Sequence, residues 1–203
     1  MSEEDRSKWD QRYAEDSHRT RAQPGEFITQ WIDRVTIGNA LDVACGLGQK
    51  SIFLAEAGFQ VDAIDVSNIG LNRARQQAEE DELDINWIQH DLDQPYAFNQ
   101  KYDLIIVMWY VDLLLIRRLC DQLAPGGYLL CEEHLACDNL SDAFTGPKNE
   151  NFRVAPNALY EAVAGFNVRY YDEYVGVIEG YQASSHDSDA SMISRARLVV
   201  SNQ

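Results

Sequence analysis

Three aspartates close successive apolar segments: Asp42 in Leu41-Asp42-Val43-Ala44-Cys45-Gly46-Leu47-Gly48, Asp65 in Val61-Asp62-Ala63-Ile64-Asp65, and Asp91 in His90-Asp91-Leu92-Asp93. Glycines at 46 and 48 let the chain turn tightly and approach a ligand without a Cβ in the way. A helix starting behind them offers unpaired N–H groups to an anion. A carboxylate at position 65, seventeen residues after Gly48, suits both hydroxyls of a ribose, and charge-assisted bonds of that kind contribute about 1.5–3 kcal/mol each. Asp91 suits the exocyclic amine of an adenine, with a neighbouring main-chain N–H for a ring nitrogen. Singly, each acid reads equally well as a helix cap or a solvated turn residue. Together, with two glycines between the first and second, they are expected to hold a nucleoside-like ligand.

Those acids need strands to carry them. From Ala40 onward, short apolar runs alternate with helix-like segments, the pattern of βαβ units and a parallel sheet. Strands are expected at 41–45, 59–65, 85–90, 102–108 and 128–133, the fourth apolar throughout as a central strand is. Between them lie a helix from Gln49 to its stop at Gly58, one capped by Ser67 with Leu71, Ala74 and Ala78 on one face, and one marked by Leu113, Ile116, Leu119, Cys120 and Leu123. Pro125-Gly126-Gly127 is read as the turn into the fifth strand. Residues 136–152 are polar with Gly and Pro and read as a loop or lid, and Pro156 opens a short helix ending at Gly165. Segments 166–177 and 191–200, joined by a turn at 184–189, are expected to close the sheet as an antiparallel hairpin. Helices near 3–15 and 26–36 are expected over one end of it.

The whole chain, 203 residues with 45% apolar and 25% charged side chains, reads as one globular domain: an N-terminal helical cap over 1–38, a core over 39–135, and a lid loop, short helix and hairpin over 136–203. Seventeen basic against 33 acidic residues leave a net charge of −16, which repels phosphate backbones and argues against a nucleic-acid partner. The run from Leu104 to Ile116 is broken by Asp112 and too short for a bilayer. With an acidic N-terminus and no hydrophobic stretch behind it, the chain is expected to be cytoplasmic, without membrane contact. Cys45, Cys120, Cys131 and Cys137 have no CxxC spacing and read as reduced thiols; no metal site is expected.

The motifs now in hand resemble those of class I S-adenosylmethionine-dependent methyltransferases: the Leu41–Gly48 segment, Val61-Asp62-Ala63-Ile64-Asp65-Val66-Ser67, Asp91, Tyr102-Asp103-Leu104-Ile105-Ile106-Val107 and Leu123-Ala124-Pro125-Gly126-Gly127. Trp9-Asp10-Gln11-Arg12-Tyr13 and Asn151-Phe152-Arg153-Val154-Ala155-Pro156 are similar to segments of small bacterial methyltransferases of the tellurite-resistance and thiopurine type. The resemblance implies an α/β fold, a seven-stranded doubly wound sheet that is mostly parallel with one antiparallel strand. It implies S-adenosyl-L-methionine as cofactor and S-adenosyl-L-homocysteine as product. By the same resemblance, Asp42 and the backbone of Ala44, Cys45, Gly46 and Gly48 cradle the methionine part, Asp65 holds the ribose, Val66 packs on the adenine, and Asp91 and Leu92 meet its edge. Met108 would line the sulfonium, Trp109 and Tyr110 the acceptor, and Tyr13, with Trp9, would cover the cofactor, against a reading of both as anchors of the N-terminal helix on the core. Ala44 departs from the family, where a glycine is usual.

Transfer from a sulfonium needs alignment more than a strong catalyst, and a base only when the acceptor arrives protonated. His134 is the candidate base, against a reading as a hydrogen-bonded strand-end residue. Arg153 is a candidate for steering an anionic acceptor, clamping the lid, or pairing with Glu150. Val107-Met108-Trp109-Tyr110 lacks the Asn/Asp-Pro-Pro-aromatic signature of enzymes that methylate base amines, so a small-molecule acceptor is expected. Two other readings stay open: a non-catalytic S-adenosylmethionine-binding domain, and an NAD(P)-dependent oxidoreductase, whose fingerprint Gly46-x-Gly48-x-x-Ser51 approaches.

Overall fold

The computed structural model of the protein describes residues 3–15, 24–138, 140, 144–177 and 192–202. Seven strands form one sheet in the order β3-β2-β1-β4-β5-β7-β6: β1 (Asn39–Val43), β2 (Gln60–Asp65), β3 (Ile85–Gln89), β4 (Tyr102–Met108), β5 (Leu123–His134), β6 (Asn167–Val177) and β7 (Met192–Ser201). Six strands are parallel and one hairpin strand is antiparallel, as expected. The chain divides into two compact units, one of Met1–Ile106 with Gln122–Tyr128, the other of Val107–Asp121 with Leu129–Asn202.

In the first unit, β1 runs parallel to β2, with Asn39 opposite Gln60 and Val43 opposite Ile64. Strand β2 in turn runs parallel to β3, with Val61 opposite Ile85 and Asp65 opposite Gln89. That register brings the carboxyl ends of the three strands side by side, so the loops after Val43, Asp65 and Gln89 leave from one edge. Leu41, Ile64, Leu104, Ile105 and Ile106 are wholly buried, which is why these strands read as apolar runs. Helices α3 (Gln49–Glu56) and α4 (Asn68–Glu80) make the crossovers, with α1 (Glu3–Glu15) and α2 (Glu26–Ile32) before them. The apolar face of α4 buries Leu71, Ala74 and Ala78, the spacing seen in the sequence. Helix α2, expected to reach residue 36, stops at Ile32, where Arg34 and Val35 donate to the carbonyls of Trp31 and Ile32 and tighten the last turn.

In the second unit, α5 (Leu113–Cys120) is capped by Asp112, whose carboxylate accepts from the N–H of Leu115 at 2.9 Å. Arg117 fastens α5 to α6 (Ala158–Ala162) by donating to the carbonyls of Ala162 and Ala164. Strands β6 and β7 pair antiparallel over their whole length; the turn expected at 184–189 lies outside the described residues. Isolated bridges tie Leu135 to Val154 and Phe144 to Met192, so the stretch 144–152 of the expected loop is fixed at both ends.

A further boundary differs from the sequence reading. Leu123, assigned by its spacing to the helix of α5, begins β5, and Pro125-Gly126-Gly127 lies inside that strand rather than before it. Gly126 sits at φ +81°. Gly127 runs so close to Tyr102 that an added Cβ would lie 2.7 Å from its carbonyl oxygen. The three residues bend the strand without ending it.

Candidate cofactor and acceptor sites

The first unit gathers most of the residues expected to hold a cofactor. After β1 the chain enters a loop in which Ala44, Gly46 and Gly48 all take positive φ, at 56°, 57° and 69°. Each fits tightly for its own reason. A Cβ on Gly48 would strike the Trp87 ring at 2.5 Å and Ala74 at 2.7 Å; one on Gly46 would come within 2.8 Å of the Tyr13 hydroxyl. Ala44 holds a left-handed conformation that costs an L-residue about 1–2 kcal/mol, and glycine would relieve it.

Asp65, 5% exposed, binds this loop to the next. One carboxylate oxygen accepts from the N–H of Gly46 and the other from the N–H of Ser67, each at 2.8 Å. Burial pushes its carboxyl above the usual range, while the two backbone donors oppose that shift. Each oxygen keeps a further lone pair for a hydroxyl. Asp42, 2% exposed, is held differently: the Ser51 hydroxyl of α3 donates to it at 2.6 Å. Burial pushes it up to about 6 despite that bond. Cys45 donates its N–H to the carbonyl of Ile64, and burial raises its thiol well above the usual range, so the thiol stays protonated. Val66 and Leu92 are buried behind the edge. Asp91 is half-buried and accepts from the N–H of Asp93 at 3.0 Å.

Helix α1 lies against α4 through residues the sequence argument used only in part. Tyr13 stacks on Trp9 with ring centroids 5.5 Å apart, sits over Gly46 and Gly70, and accepts at its carbonyl from Arg73. Asp10 accepts from the Ser67 hydroxyl and from the N–H of Ile69, adding a second acid to the start of α4. Asp10, Ser51 and Trp87 were given no role of their own by the sequence: Asp10 stood only within the Trp9–Tyr13 segment, and Ser51 only as the last position of the Gly46-x-Gly48-x-x-Ser51 pattern.

The second unit holds the residues expected on the acceptor side. Trp109 takes φ +65°, costly for a bulky residue, of order 1–3 kcal/mol. Its N–H donates to the carbonyl of Glu132, and its ring stacks on His134 at 4.2 Å. Gly146 abuts that imidazole so closely that a Cβ there would lie 2.2 Å from it. Burial drops His134 to about 4, with the Arg153 charge adding to the effect, so the ring is neutral near pH 7. Its buried Nδ1 has no partner among the described residues.

Arg153 is not a surface residue paired with Glu150. At 5% exposure its guanidinium donates to the carbonyls of Pro147, Leu135 and Thr145, at 2.8, 2.9 and 3.1 Å. Such geometry is that of a clamp on the loop. Met108 is buried at the end of β4. Tyr110 donates its N–H to the Glu133 carboxyl at 3.0 Å; Glu133 carried no sequence signal, being one acid among 33.

Three loops leave one edge of the first unit's strands, where the glycine bend is bonded to a strand-end acid. Residues 40–127 match the family described as methyltransferase domain. The chain is 36% identical over 86 residues to the putative methyltransferase YqeM of Bacillus subtilis, covering 41% of this chain and 34% of that protein. The chain shares the fold of TehB from Haemophilus influenzae (TM-score 0.71, 18% identity, 96% of this chain and 67% of that one). It also shares that of the magnesium protoporphyrin IX methyltransferase ChlM from Synechocystis PCC 6803, solved with S-adenosylhomocysteine (TM-score 0.66, 16% identity, 97% and 94%). The chain spans between about a third and a half of the length of the curated relatives it matches.

Proposed function

We propose that the protein is an S-adenosylmethionine-dependent methyltransferase that transfers a methyl group to a small-molecule acceptor. The observation that carries this reading is the bond from Gly46 N–H to Asp65 Oδ2, which joins the glycine bend to the strand-two acid beside the neighbouring loop at Asp91. The donor set fits an adenosyl amino acid: main-chain N–H groups near a carboxylate-binding turn, an acid with free lone pairs for the ribose, and a second acid near the adenine edge. S-adenosylmethionine, when bound, supplies an electrophilic methyl carbon whose transfer needs alignment with the nucleophile rather than strong catalysis.

The chain's own residues have the following roles. Asp65 orients the ribose, Asp91 and Leu92 meet the adenine, Val66 packs against it, and Tyr13 shields the bend from water. Asp42 acts through Ser51, fixing the start of α3 behind the glycines. Met108, Trp109 and Tyr110 serve the sulfonium and acceptor side, and the −16 charge and lack of a basic cluster favour a small acceptor over nucleic acid. A ring held near pKa 4 is a weak base at neutral pH, which favours His134 as the support for Trp109. Four free cysteines suit a reducing cytoplasm. Among the described residues no helix is long and apolar enough to cross a membrane.

Calorimetric titration with S-adenosylhomocysteine and with NAD tests the reading. Saturable binding of the first and none of the second is expected. Asp65→Ala is expected to weaken it roughly 10- to 100-fold, the loss of one or two charge-assisted bonds. Tight binding of NAD alone, or undiminished affinity in the variant, would overturn the assignment.

A further inference from the structure

Glu133 is a fully buried carboxyl with half of its hydrogen-bonding capacity unused. One oxygen, Oε1, accepts from the N–H of Tyr110 at 3.0 Å and from the thiol of Cys131 at 3.8 Å. The other, Oε2, is buried and has no partner among the described residues. Among the described residues no cation offsets its charge: the adjacent Glu132 already holds Arg197 at 2.8 Å and Arg195 at 3.8 Å. A carboxylate taken out of water without a counter-ion keeps its proton, and burial indeed pushes this carboxyl well above the usual range. With two donors already aimed at Oε1, the proton belongs on Oε2, where it makes a donor that the chain leaves unused. Leaving such a group unpaired is unfavourable, and proteins keep such features where a ligand completes them. The same side chain fixes the Trp109–Tyr110 turn, in which Trp109 holds its unfavourable left-handed backbone.

We propose that Glu133 Oε2–H donates a hydrogen bond to an oxygen lone pair of the methyl acceptor while Oε1 holds the Trp109–Tyr110 turn in place. The inference rests on the methyltransferase reading and narrows it: a neutral acid donates to the lone pair of a hydroxyl, phenolic or carbonyl oxygen, whereas an ammonium has no lone pair to accept that bond and is not bound there. No bond to carbon forms or breaks at Glu133, which makes it a binding and positioning residue.

Infrared spectroscopy of the full chain reads the proton directly, because a protonated carboxyl absorbs above the amide I band. The wild-type chain is expected to show such a band that is missing from Glu133→Gln. With S-adenosylhomocysteine present, adding phenol as the probe is expected to shift the band to lower frequency; benzylamine is expected to leave it in place. Glu133→Gln keeps an acceptor towards Tyr110 and an N–H donor at the second position, so it is expected to bind phenol nearly as well as wild type. Glu133→Leu is expected to bind phenol roughly three- to tenfold more weakly. Absence of the carboxyl band, a band indifferent to phenol, or its loss on adding benzylamine would overturn the proposal, whether or not Glu133→Leu folds. S-adenosylhomocysteine binding in the same sample separates the two readings: its failure sinks the methyltransferase assignment, while its success with no Glu133 band sinks only this one.

Discussion

Ala44 and Asp42 show what single residues cost at a ligand-binding bend. The left-handed backbone of Ala44 carries a Cβ that glycine would not, so Ala44→Gly is expected to stabilise the chain by about 0.5–1 kcal/mol after the greater freedom of glycine in the unfolded state is subtracted. Thermal unfolding of the two chains checks it; an equal or lower melting temperature in the variant would show the conformation to be unstrained. Asp42 titrates near 3.8 when unfolded and near 6 when folded. Between those values the folded chain binds the extra proton, so stability falls as pH rises through the window and levels off above it. The loss attributable to this group is about 3 kcal/mol. Asp42→Asn is expected to remove that slope, so that the stability difference between variant and parent grows between pH 4 and 7 in urea titrations. A constant difference would contradict the buried ionisable assignment.

At the scale of elements, two sets of side-chain bonds fasten segments that lie outside the paired strands. Helix α1, polar and poor in apolar residues, is kept on α4 by Asp10 at the helix start, by Tyr13 over two glycines and by Arg73. The carbonyls of Leu135, Thr145 and Pro147 are held by three bonds from Arg153. Bonds from a charged donor contribute more than neutral ones, and a buried carbonyl left alone is unfavourable. Arg153→Met is therefore expected to destabilise the chain by roughly 2–4 kcal/mol, read as a lower urea midpoint. Arg153→Lys should recover little of it, since an ammonium cannot reach three carbonyls in the fork geometry of a guanidinium. Full recovery by lysine would mean that charge, not geometry, matters there.

For the whole molecule, a net charge of −16 on 203 residues sets a background of self-repulsion. Salt shortens the reach of that repulsion to a few ångströms at molar concentration, so the melting temperature is expected to rise by several degrees from low salt to about 0.5 M sodium chloride. A melting temperature that fell with salt would indicate that specific ion pairs, such as Glu132 with Arg197, outweigh the repulsion. The same charge makes long-range attraction of polyanions unfavourable.

Much of this protein was written into local patterns. Strand cores such as Leu104–Val107, the face Leu71, Ala74 and Ala78, the Ser67 and Asp112 caps and the order of motifs around Gly46, Gly48, Asp65 and Asp91 depend on neighbours in sequence or on periodicity, and these are legible in the chain itself. What tertiary structure alone decided involves contacts between residues far apart: Asp10 on Ser67, Tyr13 above Gly46, Ser51 under Asp42, Gly146 against His134, and Arg153 turned inward rather than out. Burial was decisive in the same way. Nothing in the letters Glu-Glu-His at 132–134 distinguishes a paired carboxylate, a carboxyl that keeps its proton and an imidazole that cannot take one. The distinction arises because folding removes water from the second and third and gives a cation only to the first.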